Sequence, residues 1–175
     1  MAYDMIILDI EQDIASITLN RPQQMNSLNL QMVREISDAL DVCAASQEVR
    51  AIVITGIGDV FSSGDDIELL KMAEEMSIKE FIEIIKHQGC PALVRKLMSL
   101  PKPIIASVNG ICFGAGSELA MACDHIIASN KATFGQLYVS AGLTGNTYLL
   151  PRYVGPKKAL ELLWTGKIIS AEEAY

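Results

Sequence analysis

Glu118 is a lone acid in an apolar run, and its neighbours could put it to chemical use. The stretch from Val108 to Asp124 reads VNGICFGAGSELAMACD, with Gly114 and Gly116 on either side of Ala115 and Leu119, Ala120, Met121, Ala122 and Cys123 after the glutamate. Burying an ionised carboxylate without partners is expensive, so Glu118 is either turned to solvent in the first turn of a helix or held for chemistry. The glycines favour chemistry. They remove side chains where a backbone N–H could approach a ligand, and the helix they open turns its unpaired amides and positive dipole end toward it.

A second stretch repeats the theme. FSSGDDI, Phe61 to Ile67, follows the apolar run AIVIT and places small residues and Gly64 between a strand and a new helix, an arrangement that exposes backbone amides. Two such loops offering one amide each to a shared point make an oxyanion hole, where losing one donor costs about 3–4 kcal/mol of transition-state stabilisation; otherwise they are two ordinary turns. Neither loop matches G-x-x-x-x-G-K or G-x-G-x-x-G, so nucleotide hydrolysis and hydride transfer lose support.

The elements that must position these loops alternate. Met5 to Ile10 and Ile14 to Leu19 read as an antiparallel hairpin across Glu11, Gln12 and Asp13. Leu30, Val33, Ile36, Leu40 and Cys43 recur at helical spacing behind Asn29, a natural N-cap. Ala51 to Thr55 is a continuous apolar run expected of a strand buried on both faces. A loop from Gly56 to Gly64 follows, and a helical stretch from about Ile78 to Leu100 ends at Pro101. Pro103 to Val108 and Ile126 to Ala128 are further strands, Tyr148 to Trp164 is helical around Pro151 and Gly155-Pro156, and Ser170 caps a last helix. The order β-β-α-β-α-β-α is that of an α/β fold.

Composition narrows the classes of function. The 175 residues, 50% hydrophobic and 20% charged, suffice for one domain with a sizeable core. A net charge of −7, with 14 basic residues scattered among 21 acidic ones, argues against nucleic acid as a partner. No apolar run reaches membrane-spanning length, and the N-terminal MAYDMIILDIEQD carries acids where a signal peptide has a basic flank, so a cytoplasmic protein is expected. Cys43, Cys90, Cys112 and Cys123 are irregularly spaced, and His87 and His125 are the only histidines. No metal site or disulfide framework is signalled.

Three segments in order, LNRPQQMNSLN (19–29), AIVITGIGDVFSSGDDI (51–67) and PKPIIASVNGICFGAGSELAMACDHIIAS (101–129), resemble the enoyl-CoA hydratase/isomerase, or crotonase, family. ATFGQ (132–136) and LLPRYVGPKKALELLWTGKIISAEEA (149–174) extend the resemblance over essentially the whole chain. It implies an α/β crotonase-like spiral of ββα units over residues 1–175, without the C-terminal helices that in the family cover the site and build trimers or hexamers. It also implies an acyl-CoA substrate, with coenzyme A as part of the substrate and no separate cofactor. The backbone N–H groups of Asp65 and Ala115 would polarise the thioester carbonyl, and Met25, Ser62, Ser63, Gly64, Asp66, Ile67 and Gly114 would line the acyl-CoA path. Asp66, the acid of the family's GAD-type motif, would brace its loop.

The resemblance is incomplete at one important point. Family members that hydrate a double bond carry two glutamates; Glu118 matches the first, but the second, in the family's FGQPE, falls on Tyr138. A phenol is a poor carboxylate substitute at neutral pH, though it can donate a hydrogen bond or, less easily, a proton. GLTGNTYLLPR, 142–152, is also about three residues shorter than the family's GLxPGxGGTxxLPR pattern, so the acyl pocket should differ, with Asn146, Tyr148 and Tyr138 as candidate wall groups. The expected function is hydration of an enoyl-CoA or its reverse through an oxyanion-stabilised enolate, with Glu118 as base and Tyr138 in the place of the second acid. A CoA-thioester decarboxylase or C–C bond hydrolase, and a non-catalytic CoA-binding member, are the alternatives.

Overall fold

A computed structural model of the chain describes residues 3–175; Met1 and Ala2, which begin the acidic N-terminal stretch, lie outside the described residues. β1 (Ile6–Glu11) and β2 (Ile14–Leu19) form the expected hairpin, with Gln12 and Asp13 in the left-handed region at its turn. α1 (Leu30–Ala45) buries Met32, Val33, Ile36, Ala39, Leu40 and Cys43 on one face, and the Asn29 side chain accepts the Met32 N–H at 2.8 Å. β3 (Ala51–Gly56) runs parallel to β2. On its other side it pairs in parallel with β5 (Ile104–Val108), which pairs with β7 (His125–Ala128). The result is a five-stranded sheet in the order β1-β2-β3-β5-β7. Burial along β3 alternates, with Ile52 and Ile54 inside and Ala51, Val53 and Thr55 half-buried, so the strand is not enclosed on both faces as its apolar run implies.

A second sheet, unforeseen in the sequence, is built from three-residue strands. β4 (Val60–Ser62), β6 (Ile111–Phe113), β8 (Thr133–Gly135) and β9 (Ile168–Ser170) lie in that order. β4 occupies what reads as loop, and β6 what reads as the approach to a helix. Each long strand feeds a short one and then a helix: β3–β4–α2 (Ile67–Glu75) and β5–β6–α5 (Ala115–Met121) are successive turns of one ββα spiral. α2 begins where the FSSGDDI loop calls for a new helix.

The expected helix from Ile78 to Leu100 is two helices. α3 (Ile78–Gln88) starts with a Ser77–Glu80 capping box, and α4 (Cys90–Ser99) starts after an extended Gly89, with Pro91 in its first turn. α6 (Leu150–Thr165) breaks at Gly155 before Pro156, and Ser170 caps α7 (Ala171–Ala174) by accepting the Glu173 N–H at 3.1 Å.

Where β4 meets α5 there is no spare room. A β-carbon on Gly116 would lie 2.7 Å from both the Ser62 β-carbon and the Ser62 carbonyl oxygen. Gly116→Ala is therefore expected to destabilise the fold by about 1–3 kcal/mol, seen as a lower urea midpoint at constant m-value; an unchanged midpoint would mean the two elements can separate freely.

Candidate active site

The two glycine loops meet at their backbones. Gly64 has φ +106°, which an L side chain rarely adopts, and a β-carbon there would lie 3.0 Å from the Phe113 carbonyl oxygen and 3.3 Å from the Ala115 nitrogen. Leu28 N–H donates to Gly64 O at 2.8 Å and Asp66 N–H to Leu28 O at 3.1 Å. This one-residue parallel bridge turns the Asp65 N–H to the opposite side. On the other loop Gly114, at φ +49°, donates its N–H to Gly135 O at 2.9 Å, and its carbonyl accepts the N–H groups of Ser117 and Glu118. Among the described residues the N–H groups of Asp65 and Ala115 donate to no acceptor. Two unpaired amides on touching loops can hold an oxygen on which negative charge develops. α5 has only seven residues, so these amides, rather than a long helix dipole, are what the loop offers.

Several residues expected along the acyl-CoA path hold the first loop in place. Asp66 is buried; it pairs with Arg21 at 2.6 Å, accepts the Ser27 hydroxyl at 2.8 Å and caps α2 through the Glu68 N–H at 2.9 Å. Burial opposes its ionisation, but the Glu68 amide, Arg21 and Ser27 outweigh it and hold the carboxyl below its ordinary range. Ser62 is fully buried, its hydroxyl accepting the Gly64 N–H at 3.2 Å, and Ser63 N–H donates to the Met25 carbonyl at 3.0 Å. Met25 and Ile67 present exposed side chains at the loop's edge, where a ligand can reach them.

Glu118 is bonded directly to Tyr138, the residue that stands at the second-glutamate position. The Tyr138 hydroxyl donates to its Oε1 at 2.5 Å. Burial raises the Glu118 pKa, while the Tyr138 hydroxyl and the Asn146 backbone N–H act against that rise and favour the anion. Burial, the Glu118 charge and the Asp65 charge push the phenol's own ionisation far above its ordinary value. Tyr138 is thus a hydrogen-bond donor to the carboxylate and a poor source of protons. Its ring is fixed by the shortened loop, because a β-carbon on Gly145 would fall 2.5 Å from the ring carbon that bears the hydroxyl.

Behind this pair runs a buried polar chain that was not foreseen. Asn146 Nδ2 donates to Gln136 Oε1 at 3.1 Å, Gln136 Nε2 to Ser117 Oγ at 2.6 Å, and Ser117 Oγ to Gly114 O at 2.8 Å. Asn146 Oδ1 accepts the Leu150 N–H at the start of α6. Ser117 therefore serves the glycine loop. The FGQ motif was the available signal for Gln136, but nothing in the sequence names its partners.

Glu118 lies on the wall of a cavity of about 640 Å³. α4 contributes Pro91, Val94, Arg95, Met98 and Ser99, and the shortened loop contributes Asn146, Thr147, Tyr148 and Leu149. The Arg152 guanidinium stacks 3.6 Å from the centre of the Tyr148 ring and fixes that wall. His87 is exposed beside Glu83 on α3, remote in role from this wall. Among the described residues no three His, Cys, Asp or Glu side chains converge as metal ligands would.

Fold and site together define an α/β spiral protein whose paired amides and held carboxylate suit carbonyl polarisation. Residues 9–175 match the enoyl-CoA hydratase/isomerase family, and the chain belongs to that family. It is 41% identical over 179 residues to a crotonyl-CoA hydratase of Syntrophomonas wolfei, covering 100% of this chain and 67% of that protein. With a short-chain-enoyl-CoA hydratase of Clostridium acetobutylicum it shares 37% over 178 residues, 99% of this chain and 66% of the other. The crystal structure of an enoyl-CoA hydratase/isomerase from Xanthobacter autotrophicus Py2 superposes with a TM-score of 0.91 at 34% identity, covering 99% of this chain and 64% of that one. The chain thus spans about two thirds of the length of these relatives.

Removing the phenol's hydroxyl should expose its effect on Glu118. In Tyr138→Phe the carboxylate loses a donor, so its pKa rises further and the alkaline-going limb of the kcat/KM profile, where Glu118 ionises, moves to higher pH. A limb at the wild-type position would mean that the hydrogen bond does not tune the base.

Proposed function

We propose that the protein adds water across the double bond of an enoyl-CoA, or removes it from the corresponding 3-hydroxyacyl-CoA, through an enolate held by the Asp65 and Ala115 amides. The observation that carries this reading is the Glu118 carboxyl on a cavity wall, held by the Tyr138 hydroxyl, on the helix whose first residue, Ala115, carries one of two unpaired N–H groups. In this mechanism the amides take the charge that moves onto the thioester oxygen. Glu118 removes a proton from water as the water oxygen bonds to the β-carbon. The Tyr138 hydroxyl holds Glu118 in position, and the cavity between α4 and the shortened loop receives the acyl group. The names of the Syntrophomonas and Clostridium relatives support the same reaction.

A second reading is favoured by one observation, the suppressed acidity of Tyr138 at the second-glutamate position. A thioester decarboxylase or C–C bond hydrolase forms the same enolate and can dispense with that glutamate. CO2 release from a malonyl-type ester without hydration of crotonyl-CoA would favour it, and tight CoA binding with no turnover of any ester would leave a binding protein. A cytoplasmic setting is supported by four cysteines that all stand as buried free thiols. Assembly into a homo-trimer or hexamer is supported by the exposed apolar side chains of Tyr153, Leu160 and Trp164 on α6 and Ile168 on β9. No helix among the described residues is long and apolar enough to cross a membrane.

The test follows the enoyl-thioester absorbance of crotonyl-CoA. Glu118→Gln is expected to lower turnover by roughly 10²- to 10⁴-fold with little loss of CoA affinity. Wild-type rates in that variant would remove Glu118 from the mechanism.

A further inference from the structure

Three buried polar side chains end on the peptide that carries one of the unpaired amides. Gly114 O and Ala115 N belong to the same peptide unit, and the Ser117 hydroxyl donates to that carbonyl at 2.8 Å. The carbonyl does not need it. The N–H groups of Ser117 and Glu118 already donate to Gly114 O at 3.0 and 3.1 Å, enough for its two lone pairs. The hydroxyl is therefore surplus to hydrogen-bond satisfaction at this oxygen.

The bonds behind it all run one way. Leu150 N–H donates to Asn146 Oδ1 at 3.2 Å, which fixes the other end of that side-chain amide as nitrogen. Asn146 Nδ2 donates to Gln136 Oε1 at 3.1 Å and lies 4.0 Å from Met121 Sδ. Gln136 must then present Nε2 to Ser117 Oγ, at 2.6 Å, and the Ser117 hydrogen is left for Gly114 O. With a main-chain donor at one end and a main-chain acceptor at the other, the chain has only this direction. All three side chains are buried.

In such a chain each amide accepts at oxygen and donates at nitrogen, so each bond strengthens the next. The last link is the Gly114–Ala115 peptide itself. Electron density drawn toward its oxygen leaves the Ala115 N–H more positive, and that N–H has no acceptor among the described residues. The first loop has a weaker version of the same arrangement. Among the described residues the carbonyl of the Gly64–Asp65 peptide accepts the Leu28 N–H at 2.8 Å, one donor against three.

Building on the oxyanion site of the hydration reading, we propose that Ser117, Gln136 and Asn146 are its positioning residues. They form a one-way hydrogen-bond chain that orients and polarises the Gly114–Ala115 peptide and makes the Ala115 N–H the stronger of the two donors to the thioester oxygen. Asn146 also lines the Glu118 cavity, so the chain begins at the acyl wall and ends at the carbonyl to be polarised. It moves no proton and reaches the thioester only through the Ala115 amide.

The test reads the carbonyl stretch of protein-bound butyryl-CoA, labelled with carbon-13 at the thioester carbonyl, by isotope-edited infrared spectroscopy; this ester has no double bond to hydrate. Wild-type protein is expected to move the stretch to lower frequency. Asn146→Asp keeps the shape of the side chain and the acceptor for Leu150 N–H but puts oxygen in the place of Nδ2. Gln136 then turns over, and the Ser117 hydrogen points to Gln136 instead of Gly114 O. Ser117→Ala removes the last link with no added charge. Both variants are expected to lose part of the frequency shift, with butyryl-CoA affinity little changed. Their kcat on crotonyl-CoA should fall by roughly 2- to 10-fold, because one bond of a chain strengthens a donor by about 10–30% and the whole donor is worth about 10²- to 10³-fold. A wild-type stretch in either folded variant overturns the proposal whatever its rate, since side chains that only fill and stabilise the fold leave the carbonyl untouched. Should Ser117→Ala fail to fold, with Gln136 Nε2 left unpaired, Asn146→Asp decides alone. If the variants reduce the shift while wild-type protein hydrates no enoyl-CoA, the hydration reading falls and the chain stands. Wild-type protein that binds butyryl-CoA without shifting its carbonyl overturns the chain even where hydration is seen.

Discussion

The site depends on the backbone contact between the Gly64 loop and the Gly114–Gly116 loop. Gly64 rests against Phe113 and Ala115, and Gly116 against Ser62, with no room for a β-carbon at Gly116. That approach lets two amides from segments about fifty residues apart in the chain face one point. Its supports come from both sides: the Arg21–Asp66–Ser27 cluster ties the first loop to the segment before α1, and the Gly114 N–H bond to Gly135 ties the second to β8. The small sheet matters for the same reason. β4, β6 and β8 each end at a loop of the site, so their parallel pairing fixes the relative height of Gly64, Gly114 and Gln136.

Elements held together by local physics were legible in the sequence. The hairpin, the Asn29-capped α1, the β3 and β5 strands and the Ser170 cap each announce themselves through periodicity or capping residues within a few positions. The strands of the second sheet are three residues long, too short for a period, and exist because a neighbouring strand supplies their hydrogen bonds. Gly89 ended α3 early because an extended residue followed by Cys90-Pro91 starts a new helix more readily than it continues an old one. In the site, Glu118 and the two amides could be read because an acid in an apolar run and glycines after strands are local anomalies. The Tyr138–Glu118 bond and the Asn146–Gln136–Ser117 chain could not, since each joins residues from different turns of the spiral.

Glu118 illustrates how the surroundings, and not the residue type, assign a proton. Burial is the larger influence and leaves its pKa raised; the hydroxyl of Tyr138 and the amide of Asn146 work in the opposite direction and limit that rise. Tyr138 can serve as that donor because burial, and then the neighbouring Glu118 charge, suppress its own ionisation. The replacement of a carboxyl by a phenol at this position therefore changes what the position does: it organises the remaining glutamate.

The unpaired amides complete the argument. A buried N–H without an acceptor costs about 1–3 kcal/mol, and Ala115, which is buried, carries such an N–H. Gly64 and Gly114 take positive φ beside the two unpaired amides, and the buried chain from Asn146 through Gln136 to Ser117 occupies the Gly114 carbonyl. The local rules of consistency are thus broken at the two amides and satisfied everywhere around them, which is how a fold stores the unmet hydrogen-bonding capacity that a developing oxyanion can use.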